Sequence, residues 1–182
     1  PYNFQAVNAN NVNAYAYPGG SIAATRGILL ELDNEDSLAA LMGHQVGQVN
    51  ARHFAERQAK STLLDIAVAT ALVAVASSKP QYGELAQLIG SFGGGALLAH
   101  YSRENEREAD ALGMEYMARS GLNPTGMTDL MNMLNSQHKE KPGTLELMFA
   151  THPMSSERVA NTSRALQTTY AEAAKRPRQR ER

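Results

Sequence analysis

His44, Gln45 and Gln48 stand at positions i, i+1 and i+4 of one segment, Leu41-Met42-Gly43-His44-Gln45-Val46-Gly47-Gln48. On a helix, i and i+4 project from one face. A ligand pair at this spacing can hold a metal ion, and an acid directly after the first ligand can take a proton from metal-bound water. His44 offers an imidazole for such a site, but the other two positions hold amides. Gln45 keeps the shape and hydrogen-bonding ability of Glu and cannot accept a proton from water near neutral pH. The neutral carbonyl oxygen of Gln48 is a far weaker zinc donor than an imidazole nitrogen. Either residue alone is expected to cripple metal-assisted hydrolysis. Taken without context, a His followed by two Gln reads first as a polar helix face.

A second segment, Ser102-Arg103-Glu104-Asn105-Glu106-Arg107-Glu108-Ala109-Asp110, adds acids at helical spacing, with Glu106 and Asp110 on one face. A remote carboxylate can complete a zinc site, and an acid one turn later can accept a hydrogen bond from a ligand His. The plainer alternative is a solvated charge, because Arg103 and Arg107 stand close enough to pair with the acids. His152, before Pro153, is a further candidate from a loop. His53 is expected to pack or hydrogen-bond behind the site, and His100 and His138 match no motif.

The pieces occur in a recognisable order: Val12 to Gly20, Ala39 to His44, Val49 to His53, Ser102-Arg103, Glu106 to Asp110 with Gly113, and Thr151-His152-Pro153 with Arg158. Together they resemble the zinc metallopeptidase family that includes HtpX and the CAAX prenyl protease, and most closely its soluble periplasmic BepA-like branch, from Asn3 to about Leu166. The resemblance implies an α+β, mainly α, zincin-like metallopeptidase domain with a small N-terminal sheet and an active-site helix. It implies zinc as cofactor, with His44 and Glu106 as ligands and Gln48 in the place of the second His ligand. Gln45 takes the place of the general base, Asp110 and Arg158 support the ligands, and His152 stabilises the transition state or serves as an extra ligand. Asn13, Ala14 and Tyr15 would lie on an edge strand receiving an extended polypeptide. Polypeptide substrates, a periplasmic or outer-membrane-associated bacterial setting, and a separate tetratricopeptide-like domain or outer-membrane partner follow from the same likeness. The two glutamines fit either engineered substitution or a natural pseudopeptidase that holds polypeptides without cleaving them; the intact His44, Glu106, Asp110 and His152 favour recent or deliberate change.

Composition bounds the rest. The chain has 182 residues, 43% of them hydrophobic, which suits one domain, expected over 1–174. A net charge of −1 gives no general pull toward nucleic acid, and zero Cys excludes disulfides, thiolate metal sites and Cys nucleophiles. The chain starts at Pro1 with neither initiator Met nor signal peptide, which reads as a mature or trimmed chain. The basic stretch 175–182 is expected to be a disordered, solvated tail; contact with nucleic acid through it is the weaker reading. There is no internal repeat, and Gly93-Gly94-Gly95 lacks the Lys-Ser/Thr of a phosphate loop.

The elements that must position these residues follow from patterning. Val12 to Tyr17 and Ser21 to Leu32, separated by Pro18-Gly19-Gly20, predict a small sheet. Asp33 to Asp36 supply caps for a long helix to about Gln58. Leu63 to Ala76 predicts a buried core helix, shorter than a bilayer requires, so no transmembrane segment is expected. Further helices are predicted over Glu84 to His100, Glu104 to Ser120, Thr125 to Ser136 and Ser155 to about Ala174, with a mobile loop at Gln137 to Thr144. The methionines recur at helical spacing as core fillers.

Overall fold

The computed structural model describes residues 1–79, 81, 83–84, 102–140 and 142–178. Strands β1 (Asn3–Val7), β2 (Ala14–Ala16) and β3 (Ser21–Thr25) form a sheet of order β1-β3-β2, with β1 parallel and β2 antiparallel to β3. Strand β1 adds to the two expected segments; all five of its residues are exposed, so it carries no in-out alternation to read. The expected extension of β3 to Leu32 stops at Thr25. There the Thr25 hydroxyl accepts from the Ile28 amide and starts helix α1 (Arg26–Glu31).

Helix α2 (Glu35–Asn50) begins as its caps predict, with the Asn34 side chain accepting from the Ser37 amide and Glu35 and Asp36 in the first turn. It does not run to Gln58. Arg52 adopts a left-handed φ of 57°, which breaks the helix and starts α3 (His53–Ser78) in a new direction. Two further corrections concern this region, and one expectation falls outside the described residues. The apolar stretch Leu63 to Ala76 is not a core helix, because it forms the outer part of α3, where Leu63, Ile66 and Val73 are exposed. At 26 residues, α3 is long and apolar enough to cross a membrane, contrary to the expectation from Leu63 to Ala76 alone. The helix expected over Glu84 to His100, with its glycine run, lies outside the described residues apart from Glu84.

Helix α4 (Arg103–Arg119) opens with a capping box in which the Ser102 hydroxyl accepts from the Asn105 amide and the Asn105 side chain accepts from the Ser102 amide. Helix α5 (Thr125–Glu140) and α6 (Pro142–Thr151) occupy most of the segment expected to be a loop at Gln137 to Thr144. Helix α7 (Ser156–Gln167) ends earlier than its pattern predicts, and the chain continues through turns to a 3-10 turn at Ala173–Lys175. The described part of the expected tail is tied down. Arg176 Nη1 donates to the carbonyls of Ala118 and Leu122, capping the end of α4, and Arg178 pairs with the buried Asp36 and with Asp129.

Helices α2 and α4 form the centre of the fold, packed through small residues. A Cβ on Gly43 would stand 3.1 Å from the Gly113 Cα, one on Gly47 3.0 Å from the Ala109 carbonyl oxygen, and one on Gly113 3.0 Å from the His44 amide nitrogen. The backbones therefore approach closely, which brings short side chains on the two helices within reach of each other. Met114, Met117, Met127, Met131 and Met148 fill the core beside Leu41 and Ile28, as their spacing predicts. Gly113→Val, which forces the two helices apart, is expected to cost roughly 1–3 kcal/mol or more and to weaken metal binding as well. A denaturant melt and a metal titration on the same sample check both effects.

Candidate metal centre

Helix α2 contributes His44 in its middle, where neighbouring turns hold the backbone on both sides. Helix α4 contributes Glu106 in its first turn, where the helix dipole favours a carboxylate, and Asp110 one turn later. His152 follows the last residue of α6, its amide bonded to the Met148 carbonyl at 2.7 Å, and Pro153 prevents the helix from continuing. One ligand atom each from His44, Glu106 and His152 lies within 4.8 Å of the other two, and all three residues are buried. Residues from two helices and the end of a third thus converge on one volume the size of a cation.

The hydrogen bonds fix which atoms face that volume. His44 Nδ1 donates to Asp110 Oδ1 at 2.9 Å, which leaves the Nε2 lone pair aimed at the cluster. Arg158 grips Asp110 with two bonds of 2.8 Å, from Nε and Nη2, and also donates to the Pro153 carbonyl at 3.1 Å. One guanidinium thereby orients the acid that orients His44 and anchors the loop carrying His152. Arg158 Nη1 lies 2.7 Å from Glu106 Oε2, a charge contact rather than an aligned hydrogen bond. His152 Nδ1 donates to Glu106 Oε1 at 2.9 Å.

Gln48 does not point a ligand oxygen into the cluster. Its Nε2 donates to Glu106 Oε1 at 2.7 Å and lies 3.3 Å from His44 Nε2, while its Oε1 faces His53 Nδ1 at 2.6 Å. His53 in turn reaches Glu108 at 2.9 Å through Nε2, so it braces the site from behind, although on α3 rather than on the far side of α2. Gln45 is 0% exposed, and among the described residues neither atom of its amide has a hydrogen-bond partner. An orphaned buried amide costs about 1–3 kcal/mol unless something polar meets it.

Burial pushes the Glu106 carboxyl upward, but the His152, His44 and Arg158 charges and the His152 hydrogen bond outweigh it and hold the group at about 2. Burial lowers His152 below its usual 6.5 despite the opposing pull of Glu106, which keeps it a neutral imidazole at neutral pH. Both groups have folded values depressed relative to the unfolded chain, so the stability they contribute is present above the unfolded values and is lost as pH falls. The chelated protein is therefore expected to melt at a steady temperature above about pH 7, at a lower one as pH drops through 6.5, and lower still below 4.5. A melting temperature unchanged from about pH 8 to pH 5 would contradict this.

The remaining sequence candidates fall near this centre without joining it. Asn13 is fully buried, its Oδ1 accepting from the Ala14 amide at 2.9 Å, so its role is to shape the entry to β2. Ala14 and Tyr15 pair with β3, and β2 is the last strand of the sheet on the side of α2. Between the end of β2 and Gln48 opens a cavity of about 220 Å³, lined by Ala16, Tyr17, Val49, Arg52 and Phe54 among others. His138 stacks edge-on against Phe149 and takes no part, and His100 lies outside the described residues. Two contributors escape sequence reasoning. Asn105 Nδ2 donates to Glu56 at 2.9 Å and locks α4 to α3, and Glu108 holds His53. The Ser102-to-Asn105 spacing is the only available signal for the first of these.

Residues 1–166 match peptidase family M48. The beta-barrel assembly-enhancing protease of Escherichia coli K12 is 31% identical over 165 residues, covering 88% of this chain and 34% of that protein. Metalloprotease YcaL of the same organism is 30% identical over 162 residues, covering 87% of this chain and 59% of YcaL. The mitochondrial metalloendopeptidase OMA1 of Schizosaccharomyces pombe is 31% identical over 147 residues, covering 81% of this chain and 41% of OMA1. The chain thus spans about a third of the length of the first of these relatives.

Proposed function

The chain belongs to peptidase family M48, and from that premise we propose a zinc-dependent endopeptidase site in which His44, Glu106 and His152 hold the metal. What supports this set is the mutual 4.8 Å spacing of one nitrogen or oxygen from each residue, together with the donor chemistry of two imidazoles and a carboxylate. Gln48, with its oxygen turned to His53, would stand beside the metal rather than on it. Zinc bound there supplies Lewis acidity toward a peptide carbonyl and lowers the pKa of a bound water.

The chain's own residues then have distinct tasks. Asp110 sets the His44 tautomer, Arg158 fixes Asp110, and His152 must release the Nδ1 proton it now gives to Glu106 before that nitrogen can ligate. An extended polypeptide would add as a strand to the outer edge of β2, with Tyr15 beside it and a side chain entering the cavity next to Gln48. Gln45 can hydrogen-bond a water or a substrate carbonyl but cannot take a proton, so the chain as written binds polypeptide with little or no turnover. The relatives' names support polypeptide substrates and, for this chain, a periplasmic or outer-membrane-associated setting alongside a β-barrel assembly partner.

The observation that carries the reading is the convergence of His44, Glu106 and His152. It is tested by isothermal titration with zinc: one ion per chain is expected, with affinity in His152→Ala falling by more than the roughly tenfold to hundredfold that loss of an outer-shell partner costs, and falling as pH is lowered. Zinc affinity indifferent to His152→Ala removes that residue from the ligand set.

A further inference from the structure

On the basis of the zinc site proposed above, we infer that the side-chain amide of Gln48 is a built-in competitor for the metal, and that His53 is the positioning residue that holds it in that role. An incoming ion must displace an N–H donor that the chain supplies to its own ligands.

The direction in which the amide points is set by Glu106. That carboxyl is held at about 2, so it is ionised at neutral pH. A carboxylate accepts hydrogen bonds and gives none, so the Gln48 atom 2.7 Å from Glu106 Oε1 is the NH2, and the amide oxygen faces the other way. The same NH2 lies 3.3 Å from His44 Nε2, the nitrogen that the Asp110 bond leaves with its lone pair. A group of partial positive charge thus stands between the carboxylate oxygen and the imidazole nitrogen that would bind the ion. His152 Nδ1 adds a second donor to Glu106 Oε1 at 2.9 Å, so the cluster is closed by hydrogen bonds between its own members. Gln48 is 1% exposed and has no path to solvent. The change open to its side chain is a rotation of the terminal amide, which exchanges NH2 and oxygen.

His53 opposes that rotation. Its Nδ1 donates to Gln48 Oε1 at 2.6 Å, and its Nε2 is fixed by Glu108 Oε2 at 2.9 Å. Rotation would set the NH2 against the Nδ1 donor and the oxygen against the Glu106 carboxylate, so both neighbours favour the present orientation. The backbone break at Arg52 makes this contact possible. On an unbroken α2, five residues at about 100° each would carry His53 about 140° around the helix from Gln48. The left-handed φ of 57° at Arg52 instead returns the His53 ring, 1% exposed, to the Gln48 side chain. A residue in a costly backbone conformation is here tied to the centre through one imidazole.

The test uses the full chain, chelated and then titrated with zinc alone or with cobalt(II) for its visible spectrum. Gln48→Ala is expected to bind zinc roughly tenfold more tightly than the chain as written, the magnitude of an outer-shell contact with its sign reversed. In chelator the same variant should melt at a lower temperature, because Glu106 and His44 lose their donor. His53→Phe should move both quantities in the same two directions, with a changed cobalt spectrum as the released amide turns its oxygen to the ion. His53→Gln still offers an N–H to the Gln48 oxygen and should return both values to those of the original chain. Glu108→Ala, at a side chain 58% exposed, should shift both by a smaller amount and keeps the test available if His53→Phe does not fold. A merely structural part for these residues would lower affinity and melting temperature together. Unchanged or weaker zinc binding in Gln48→Ala, or in Glu108→Ala and a folded His53→Phe, would overturn the competitor role while leaving the centre of His44, Glu106 and His152 in place. Zinc affinity indifferent to His152→Ala and to Gln48→Ala alike would overturn that centre and the competitor role with it.

Discussion

Replacing Gln45 by Glu and Gln48 by His together is expected to raise chelator-sensitive cleavage of an unfolded polypeptide by roughly a thousandfold or more over the chain as written. Every other element of the site stands in place around these two residues. His44 is already in the ligating tautomer, Asp110 and Arg158 already hold it, and Glu106 is already a carboxylate. The carboxyl at position 45 supplies the base that the orphaned amide cannot be. The imidazole at position 48 replaces an amide whose NH2 now bridges Glu106 and His44. Gln45→Glu alone is expected to recover the smaller share, because the Gln48 bridge persists, and Gln48→His alone should tighten zinc without restoring proton transfer. If the double variant binds zinc tightly and still cleaves nothing, the site belongs to a polypeptide-holding module rather than to an enzyme altered at two positions.

Arg158→Ala is expected to destabilise the domain by about 3–5 kcal/mol, a fall in melting temperature on the order of 10 °C. The guanidinium is buried with two acids: its bonds to Asp110 are both 2.8 Å, and it stands 2.7 Å from Glu106, itself 0% exposed. Removing it leaves two buried carboxylates short of a positive partner and frees the Pro153 carbonyl on the His152 loop. Arg158→Lys should recover the charge but not the paired geometry, and so fall between the two. Zinc itself should partly rescue Arg158→Ala, because the ion replaces the lost positive charge beside Glu106. Calorimetric melts with and without zinc read all three expectations.

Much of the site is legible because its residues sit on strongly patterned helices. The i, i+4 spacing of His44 with Gln48 and of Glu106 with Asp110 survives folding unchanged, and the cap at Asn34, within the expected Asp33 to Asp36, marks where the first of the two helices starts. The approach of those helices is less visible. Gly43, Gly47, Ala109 and Gly113 look ordinary one at a time, and only their pairing across the interface shows that the backbones nearly touch. The break at Arg52 is invisible, because a left-handed non-glycine residue leaves no compositional mark; the helical pattern simply runs on to Gln58. Missing that break also hides α3. With its start at His53 unseen, the apolar run from Leu63 reads as too short for a membrane and suited to the core, whereas the complete helix is 26 residues long and leaves that run unburied. His152 is legible as a candidate but not as a member of the cluster, since nothing in a loop sequence reports the 2.9 Å contact with Glu106.

The centre itself is tested most directly by loading the chain with zinc and counting its ligands by X-ray absorption at the zinc edge. Two imidazoles and one carboxylate are expected at one ion per chain, with one imidazole lost in His152→Ala and the site abolished in His44→Ala. Zinc whose spectrum contains no imidazole, or which persists unchanged when His44 is removed, would contradict the assignment of His44, Glu106 and His152 as a metal centre.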